Sequence, residues 1–326
     1  MTVDKNLFLY DLAVVTIMKD EAPYIREWLD YHLLASVDHF FIYDNEDSDA
    51  QRKILQPYVD AGIVTCIPYR GKCRQLEAYA DAVHRFRFFC RYMSWIDADE
   101  FIFPKSSRSV TEVVDEILSA SPNASGLAVN ILHYGSNGQE SADYSRGVLE
   151  RFTRRAPENW TPPFPNTDIP GGNAHVSTIA NPRKIRVFHQ PHSPQYFEGC
   201  YAVNEKGTLA PGGTTNYPVA FDKIAMNHYH VKSREEYAKK VQRGNADHFD
   251  NLYKIEEFEK NDRNEEFDDG ILKYREARRN LPPRGPVDYV RLSNALIQNI
   301  FPTTLMNTPQ KFFEGKMETL LTCRKL

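Results

Sequence analysis

A chain of 326 residues, 41% of them hydrophobic, is long enough for one large domain or two small ones with a sizeable core. A formal net charge of −4, from 40 basic and 44 acidic residues, excludes the strongly basic footprint of a general nucleic-acid binder. Five cysteines (Cys66, Cys73, Cys90, Cys200 and Cys323) without a C-x-x-C pair argue against a disulfide framework or a zinc site, and for a reducing compartment.

The elements follow in order. Leu12–Met18 is a short β-branched apolar run that reads as a buried strand. Ile25, Trp28, Leu29, His32 and Leu33 recur at helical spacing behind Pro23, a residue suited to a first helical turn. His39–Tyr43 is a second strand, with the polar loop Asp44–Asp49 after it. Ile54, Leu55 and Tyr58 mark a helix stopped by Gly62. Ile63–Ile67, a helix carrying Leu76, Tyr79, Ala80 and Val83, and the strand Tyr92–Ile96 follow. Ser109 and Glu112 form a capping box for a helix over 111–120, and Gly126–Leu132 is the fifth strand.

Strands alternating with helices predict an α/β fold, a mostly parallel Rossmann-like sheet with helices on both faces. Ligands of such sheets sit beyond the carboxyl ends of the strands, so Lys19–Glu21, Asp44–Asp49 and Asp97–Glu100 should converge there. Residues 135–225 are rich in Pro, Gly and Asn and read as long loops, with short strands over Lys184–Phe188 and Phe221–Met226. Ser233 and Glu236 form a second capping box, opening a helix to about Arg243. The tail from Ile255 alternates acidic and basic helical stretches. The expected organisation is one domain over 1–250, with an N-terminal half (11–132) and a loop-rich second half (133–250), then a helical extension (251–326). No apolar run approaches the ~18–20 residues of a membrane span and no signal-peptide pattern opens the chain. The expectation is a soluble cytoplasmic protein, peripheral membrane contact being left open.

The acidic run Asp97-Ala98-Asp99-Glu100 lies between apolar stretches. Buried carboxylates are costly unless paired or metal-bound. Asp97 and Asp99, two apart, would point the same way on an extended chain, and Mg²⁺ or Mn²⁺ takes one or two carboxylates plus water and phosphate oxygens. A solvated strand end is the bland alternative. In Asn227-His228-Tyr229-His230, two histidines at i, i+2 offer a nitrogen ligand that suits Mn²⁺ better than Mg²⁺, or are merely satisfied edge residues. Lys232, Lys239, Lys240 and Arg243 surround the Ser233 helix and are placed to neutralise a diphosphate, although each alone reads as a surface charge. The basic clusters Arg151–Arg155 and Lys273–Arg279 read as solvated faces.

Taken together these segments resemble glycosyltransferase family 92 and related family 2 enzymes. The resemblance runs through Lys19-Asp20-Glu21, Glu27-Trp28-Leu29, Tyr31-His32, Tyr43-Asp44-Asn45, Gln75 with Ala78-Tyr79, and Ile96-Asp97-Ala98-Asp99-Glu100-Phe101. It continues in His133-Tyr134-Gly135-Ser136-Asn137-Gly138 and in Asn227-His228-Tyr229, Lys232-Ser233, Glu236, Lys240 and Arg243-Gly244. It departs at Asp20, where the family has Asn, and across residues 139–222. The resemblance implies a GT-A fold and sugar transfer with inversion from a nucleotide-sugar donor, UDP-hexose in the first instance, to a glycan or lipid-linked saccharide. It implies Asp99 as metal ligand, Asp97 on the metal or the ribose, His228 completing the metal site, and Asp44 with Glu21 on the nucleoside. Lys19, Gln75, Lys232, Lys240 and Arg243 are placed with the donor, and His230 falls at a variable position.

Such transfer needs a cation for the leaving diphosphate and a general base for the acceptor hydroxyl. The base is expected among Glu140, Asp143, Asp168, His189, His192 and Glu198, with Glu198 in Tyr196-Phe197-Glu198-Gly199 preferred. A nucleotidyltransferase making nucleotide sugars is disfavoured, because Lys19-Asp20-Glu21-Ala22-Pro23 is not the Gly-rich loop it needs after strand one. A non-catalytic nucleotide or glycan-binding module would not need three clustered carboxylates and a distant histidine.

Overall fold

A computed structural model describes residues 8–121, 123–210, 213–246 and 254–280. Strand β1 (Tyr10–Met18) leads to α1 (Ile25–Leu34), β2 (His39–Asp44), α2 (Ala50–Asp60), β3 (Val64–Pro68), α3 (Gln75–Phe86) and β4 (Cys90–Trp95). Then come β5 (Glu100–Pro104), α4 (Val110–Ser119), β6 (Ala124–His133), the single turn α5 (Val148–Arg151) and β7 (Arg154–Arg155). The loop-rich stretch carries β8 (Val176–Ala180), β9 (Ile185–Val187), β10 (Gln195–Tyr196), β11 (Tyr201–Val203), β12 (Leu209–Ala210) and β13 (Ile224–His228). Helix α6 (Arg234–Arg243), α7 (Phe258–Asn261), β14 (Glu266–Phe267) and α8 (Gly270–Arg279) follow.

Alternation along β1 explains the layering. Leu12 and Val14 join one apolar cluster with α1, α2 and α4, whereas Ala13 and Val15 join another built on Ala78, Tyr79, Ala82, Val83 and Phe86 of α3. With period-2 side chains buried on both faces, the strand has no polar face to offer water, and helices cover both sides. The sheet order is β12-β11-β6-β8-β4-β1-β2-β3, with β13 pairing to both β5 and β6. The α/β class and the mostly parallel, helix-flanked sheet are as expected.

Two details differ from the sequence reading. Strand β8 runs antiparallel between β4 and β6, so the fifth predicted strand does not pair with the fourth. All five residues of β8 are buried, yet Ser177 and Thr178 interrupt its apolar pattern within a Pro/Gly-rich stretch. In addition, Asp97 to Asp99 form a turn between β4 and β5, with the Glu100 amide donating to the Asp97 carbonyl at 3.1 Å, rather than an extended segment. The strands anticipated over Lys184–Phe188 and Phe221–Met226 are present as β9 and β13.

Helix α1 holds this turn in place. The Trp28 indole donates to the Glu100 carbonyl (2.8 Å), Tyr31 Oη donates to the Ile102 carbonyl (2.8 Å), and His32 Nε2 accepts from the Ile102 amide (3.3 Å). His32 can accept there because its Nδ1 faces the Trp28 carbonyl and burial lowers its pKa to about 3. The segment 254–280 packs on the same body. Asp262 accepts from the Ser136 amide and hydroxyl, and Gly135 lacks a Cβ that would meet the Arg263 carbonyl at 2.3 Å. The two basic clusters are likewise structural. Arg155 pairs with Asp268, and Arg278 donates to the Leu34 carbonyl and the Ser36 hydroxyl. Of the helical extension expected over 251–326, residues 281–326 lie outside the described residues. No helix among the described residues is long and apolar enough to cross a membrane.

Candidate active site

Three chain segments meet beyond the carboxyl end of β4. The turn supplies Asp97 and Asp99. Strand β13 lies antiparallel to β5 and parallel to β6, in a register that sets His228 opposite both Glu100 and His133. The Tyr229 amide then donates to the Asp99 carbonyl at 2.9 Å. Helix α6, entered through the Ser233–Glu236 capping box, supplies Lys240 and Arg243. These stand four and seven residues beyond Glu236, on the same helical face. Glu236 is clamped by Arg151 at 2.6 and 3.0 Å and by Tyr24 Oη at 2.8 Å, so the capping residue also fixes the helix to the body.

Asp99 is the electrostatic centre. Burial works against its charge, but Lys240, His228 and Lys232 outweigh burial and hold its carboxyl well below the usual range. Lys240 Nζ donates to Asp99 Oδ2 (2.7 Å), and Lys232 Nζ stands 3.9 Å from the same oxygen. His228 Nε2 lies 3.3 Å from Asp99 Oδ1. That is close enough for charge attraction, and neither buried His228 ring nitrogen has a well-formed hydrogen-bond partner among the described residues. Burial disfavours the His228 cation, yet Asp99 and then Glu100 prevail and its pKa is raised. Glu100 itself is pushed up to about 8, first by burial, and accepts from Ser177 Oγ at 2.9 and 3.1 Å.

Asp99, His228 and His230 form the group able to hold a cation, their nearest ligand atoms lying within 4.8 Å of one another. One carboxylate and two imidazoles, with orphaned ring nitrogens on His228, fit a divalent ion, and the imidazoles favour Mn²⁺ over Mg²⁺. Lys240 Nζ is 2.9 Å from His230 Nδ1, so its ammonium sits among these ligands. His230, which the resemblance puts at a variable position, is thus brought to the cluster, whereas Asp97 is held by Gln75 Nε2 at 2.9 Å outside it.

A cavity of about 280 Å³ opens over the turn. Lys19, Glu21, Asn45, Lys72, Arg74, Asp97, Asp99, Lys240 and Arg243 line it, five basic side chains against three acidic ones. A second cavity of about 530 Å³ shares Lys19, Glu21, Lys240 and Arg243 and adds Lys232 and Tyr24. Arg243 ties α6 to the segment after β1 by pairing with Glu21 and donating to the Lys19 carbonyl at 2.6 Å.

Other residues singled out from the sequence are placed elsewhere. Asp44 is fully buried, accepts from Gln51 Nε2 (2.8 Å) and Arg52 Nε (2.6 Å), and does not line either cavity, whereas Asn45 next to it lines the smaller. Glu198 is exposed in a turn just before β11, whose Tyr201 pairs with Ala124 at the start of β6. The other end of β6, His133, is the one at the site. Strand length separates the two by roughly 30 Å, so the structure does not bring Glu198 to Asp99. Glu140 is paired with Arg234 at 3.1 Å. Arg74 was missed because its loop, Gly71–Arg74, carries no periodic or motif signal.

The α/β sheet thus carries a carboxylate–histidine cluster and a predominantly basic cavity at its strand ends. The sequence model of glycosyltransferase family 92 matches residues 14–268, and the chain belongs to that family. A family 92 protein of Ricinus communis is 23% identical over 237 residues, 72% of this chain and 38% of its own length. A galactan beta-1,4-galactosyltransferase of Arabidopsis thaliana is 30% identical over 100 residues, 28% of this chain and 19% of its own. The chain thus spans well under half the length of these relatives. The crystal structure of S. aureus TarS 1–349 is similar at 11% identity and a TM-score of 0.36, covering 96% of this chain and 80% of that one.

Proposed function

We propose that the chain transfers a hexosyl group, with inversion, from a UDP-linked donor to a hydroxyl of a glycan or lipid-linked saccharide, in a reaction that needs a divalent cation. The observation that carries this reading is the meeting of Asp99, His228 and His230 at the edge of a predominantly basic cavity beyond the strand ends. The galactosyltransferase among the relatives supports a hexose donor. Mn²⁺ or Mg²⁺ on Asp99, His228 and His230 would supply Lewis-acid stabilisation of the departing diphosphate. Lys19, Lys240 and Arg243 add positive charge along the same cavity, positioned in advance of the developing negative charge. Gln75 orients Asp97 toward the donor, and Asn45 and Arg74 line the side where the nucleoside would lie. Asp44 acts by fixing the loop that carries Asn45, through Gln51 and Arg52.

The test is UDP release from UDP-hexoses with Mn²⁺, with and without saccharide acceptors. Asp99→Asn should lower the rate by roughly 10²-fold or more, the scale of one preorganised electrostatic group, with an unchanged circular-dichroism spectrum. A variant as fast as the wild type would contradict the reading. Release of pyrophosphate from a nucleoside triphosphate and a sugar phosphate would instead mark nucleotide-sugar synthesis.

A further inference from the structure

A row of rings continues from the Asp99 cluster through His228. His133 lies 5.4 Å from His228 between ring centroids, with Trp160 5.3 Å and His175 6.3 Å from His133. Phe164 and His192 extend the row from His175, at 5.0 and 5.7 Å. None of these five lines either basic cavity, and all five are half-buried. They come from β6 and from the loops around β8, the part of the chain with the weakest sequence signal.

Two features say what such a wall would accept. The His133 ring is fixed, because Asn173 Oδ1 receives both the His133 amide (3.2 Å) and its Nδ1 (3.1 Å). Asn173 Nδ2 is spent on the Pro157 carbonyl at 2.8 Å, so Oδ1 must be the acceptor and Nδ1 must carry the proton. In the neutral ring His133 Nε2 is then left with a lone pair, suited to a hydroxyl donor. The two rings at the far end of the row, His175 and His192, are neutral at neutral pH. Burial lowers the pKa of His175 to about 4 and of His192 to about 3. Half-buried neutral rings suit stacking and hydroxyl hydrogen bonds rather than ion pairing.

We propose that this row is the acceptor subsite, taking an uncharged saccharide that stacks on Phe164 and His175 and donates a hydroxyl to His133. It rests on the glycosyltransferase reading above and assigns the acceptor class that reading leaves open. Continuity with His228 places such an acceptor next to the cation cluster.

The test uses the full chain with UDP and Mn²⁺ over immobilised neutral oligosaccharides (galactan, glucan, mannan and xylan fragments) and oligogalacturonate of matched length. The expected result is retention on at least one neutral class and none on oligogalacturonate. Phe164→Ala and His175→Ala should each weaken retention at least tenfold with UDP affinity unchanged, while Phe164→Tyr, which keeps the ring, should bind as the wild type does. Retention on oligogalacturonate, no retention on any saccharide, or wild-type retention in both alanine variants would overturn the proposal. Failure of the wild type to bind UDP would fall on the donor reading instead, so the two failures are distinguishable.

Discussion

At Asp99, Lys240 and a divalent cation would compete for one position. The ammonium contacts Asp99 Oδ2 and His230 Nδ1, two of the atoms an ion would need, so an arriving cation must displace it toward the cavity where a diphosphate would lie. Removing that charge while keeping the stem should have opposite effects on the two ligands. Lys240→Met is expected to tighten Mn²⁺ binding without nucleotide by roughly tenfold, ~1.4 kcal/mol, and to weaken UDP binding. Electron paramagnetic resonance of free Mn²⁺ reads the first and calorimetry the second, and a variant that weakens both would argue that Lys240 does not contest the ion. Residue by residue, the sequence disclosed carboxylates and basic groups but not their partners. Asp97 and Asp99 stood out because charge inside an apolar run is costly. Asp44 has a similar setting after its strand, yet Gln51 and Arg52, one helical turn into α2, consume its carboxylate. Trp28, Tyr31 and His32, which carry much of the family resemblance, act as scaffold by holding the backbone of β5.

Among the elements, α6 places the basic groups, and Glu236 places α6. The Arg151–Glu236 pair is almost wholly buried, with side chains 1% and 2% exposed. Burial opposes the Glu236 charge, but hydrogen bonds from Arg151, Ser233 and Tyr24 prevail and bring its pKa down to about 2. A depressed carboxyl contributes stability that is complete above its ordinary value near 4.5 and is lost as pH falls toward 2. Arg151→Met leaves that carboxylate buried and unpaired, so the variant should be about 3–5 kcal/mol less stable at neutral pH, with the deficit narrowing below about pH 4.5. Denaturant unfolding across pH measures this, and a deficit independent of pH would show that the pair is not its source. Both capping boxes were readable because Ser and Glu at three-residue spacing make a local, sequence-contained bond pattern. Strand β8 was not, since its burial comes from β4 and β6, partners 84 and about 50 residues away that no local pattern encodes.

For the whole molecule, alternation of strand and helix was enough to place the ligand end of the sheet, because parallel βα units put every helix start on one side. What joins the halves is long-range. β13 returns after some 120 residues to pair with β5, and only that register brings His228 and His230 to Asp99. Loops over 139–222 contribute His175 and His192 to the acceptor side with no periodicity to announce them. The central claim is that Asp99, His228 and His230 together hold a divalent cation that a nucleoside diphosphate completes. The measurement that tests it most directly is anomalous diffraction from crystals grown with Mn²⁺ and UDP. One manganese peak bounded by Asp99, His228 and His230 is expected, with a diphosphate oxygen on its open side and Lys240 withdrawn from Asp99. A peak held by Asp97 without either histidine, or a bound diphosphate with no manganese beside Asp99, would contradict it.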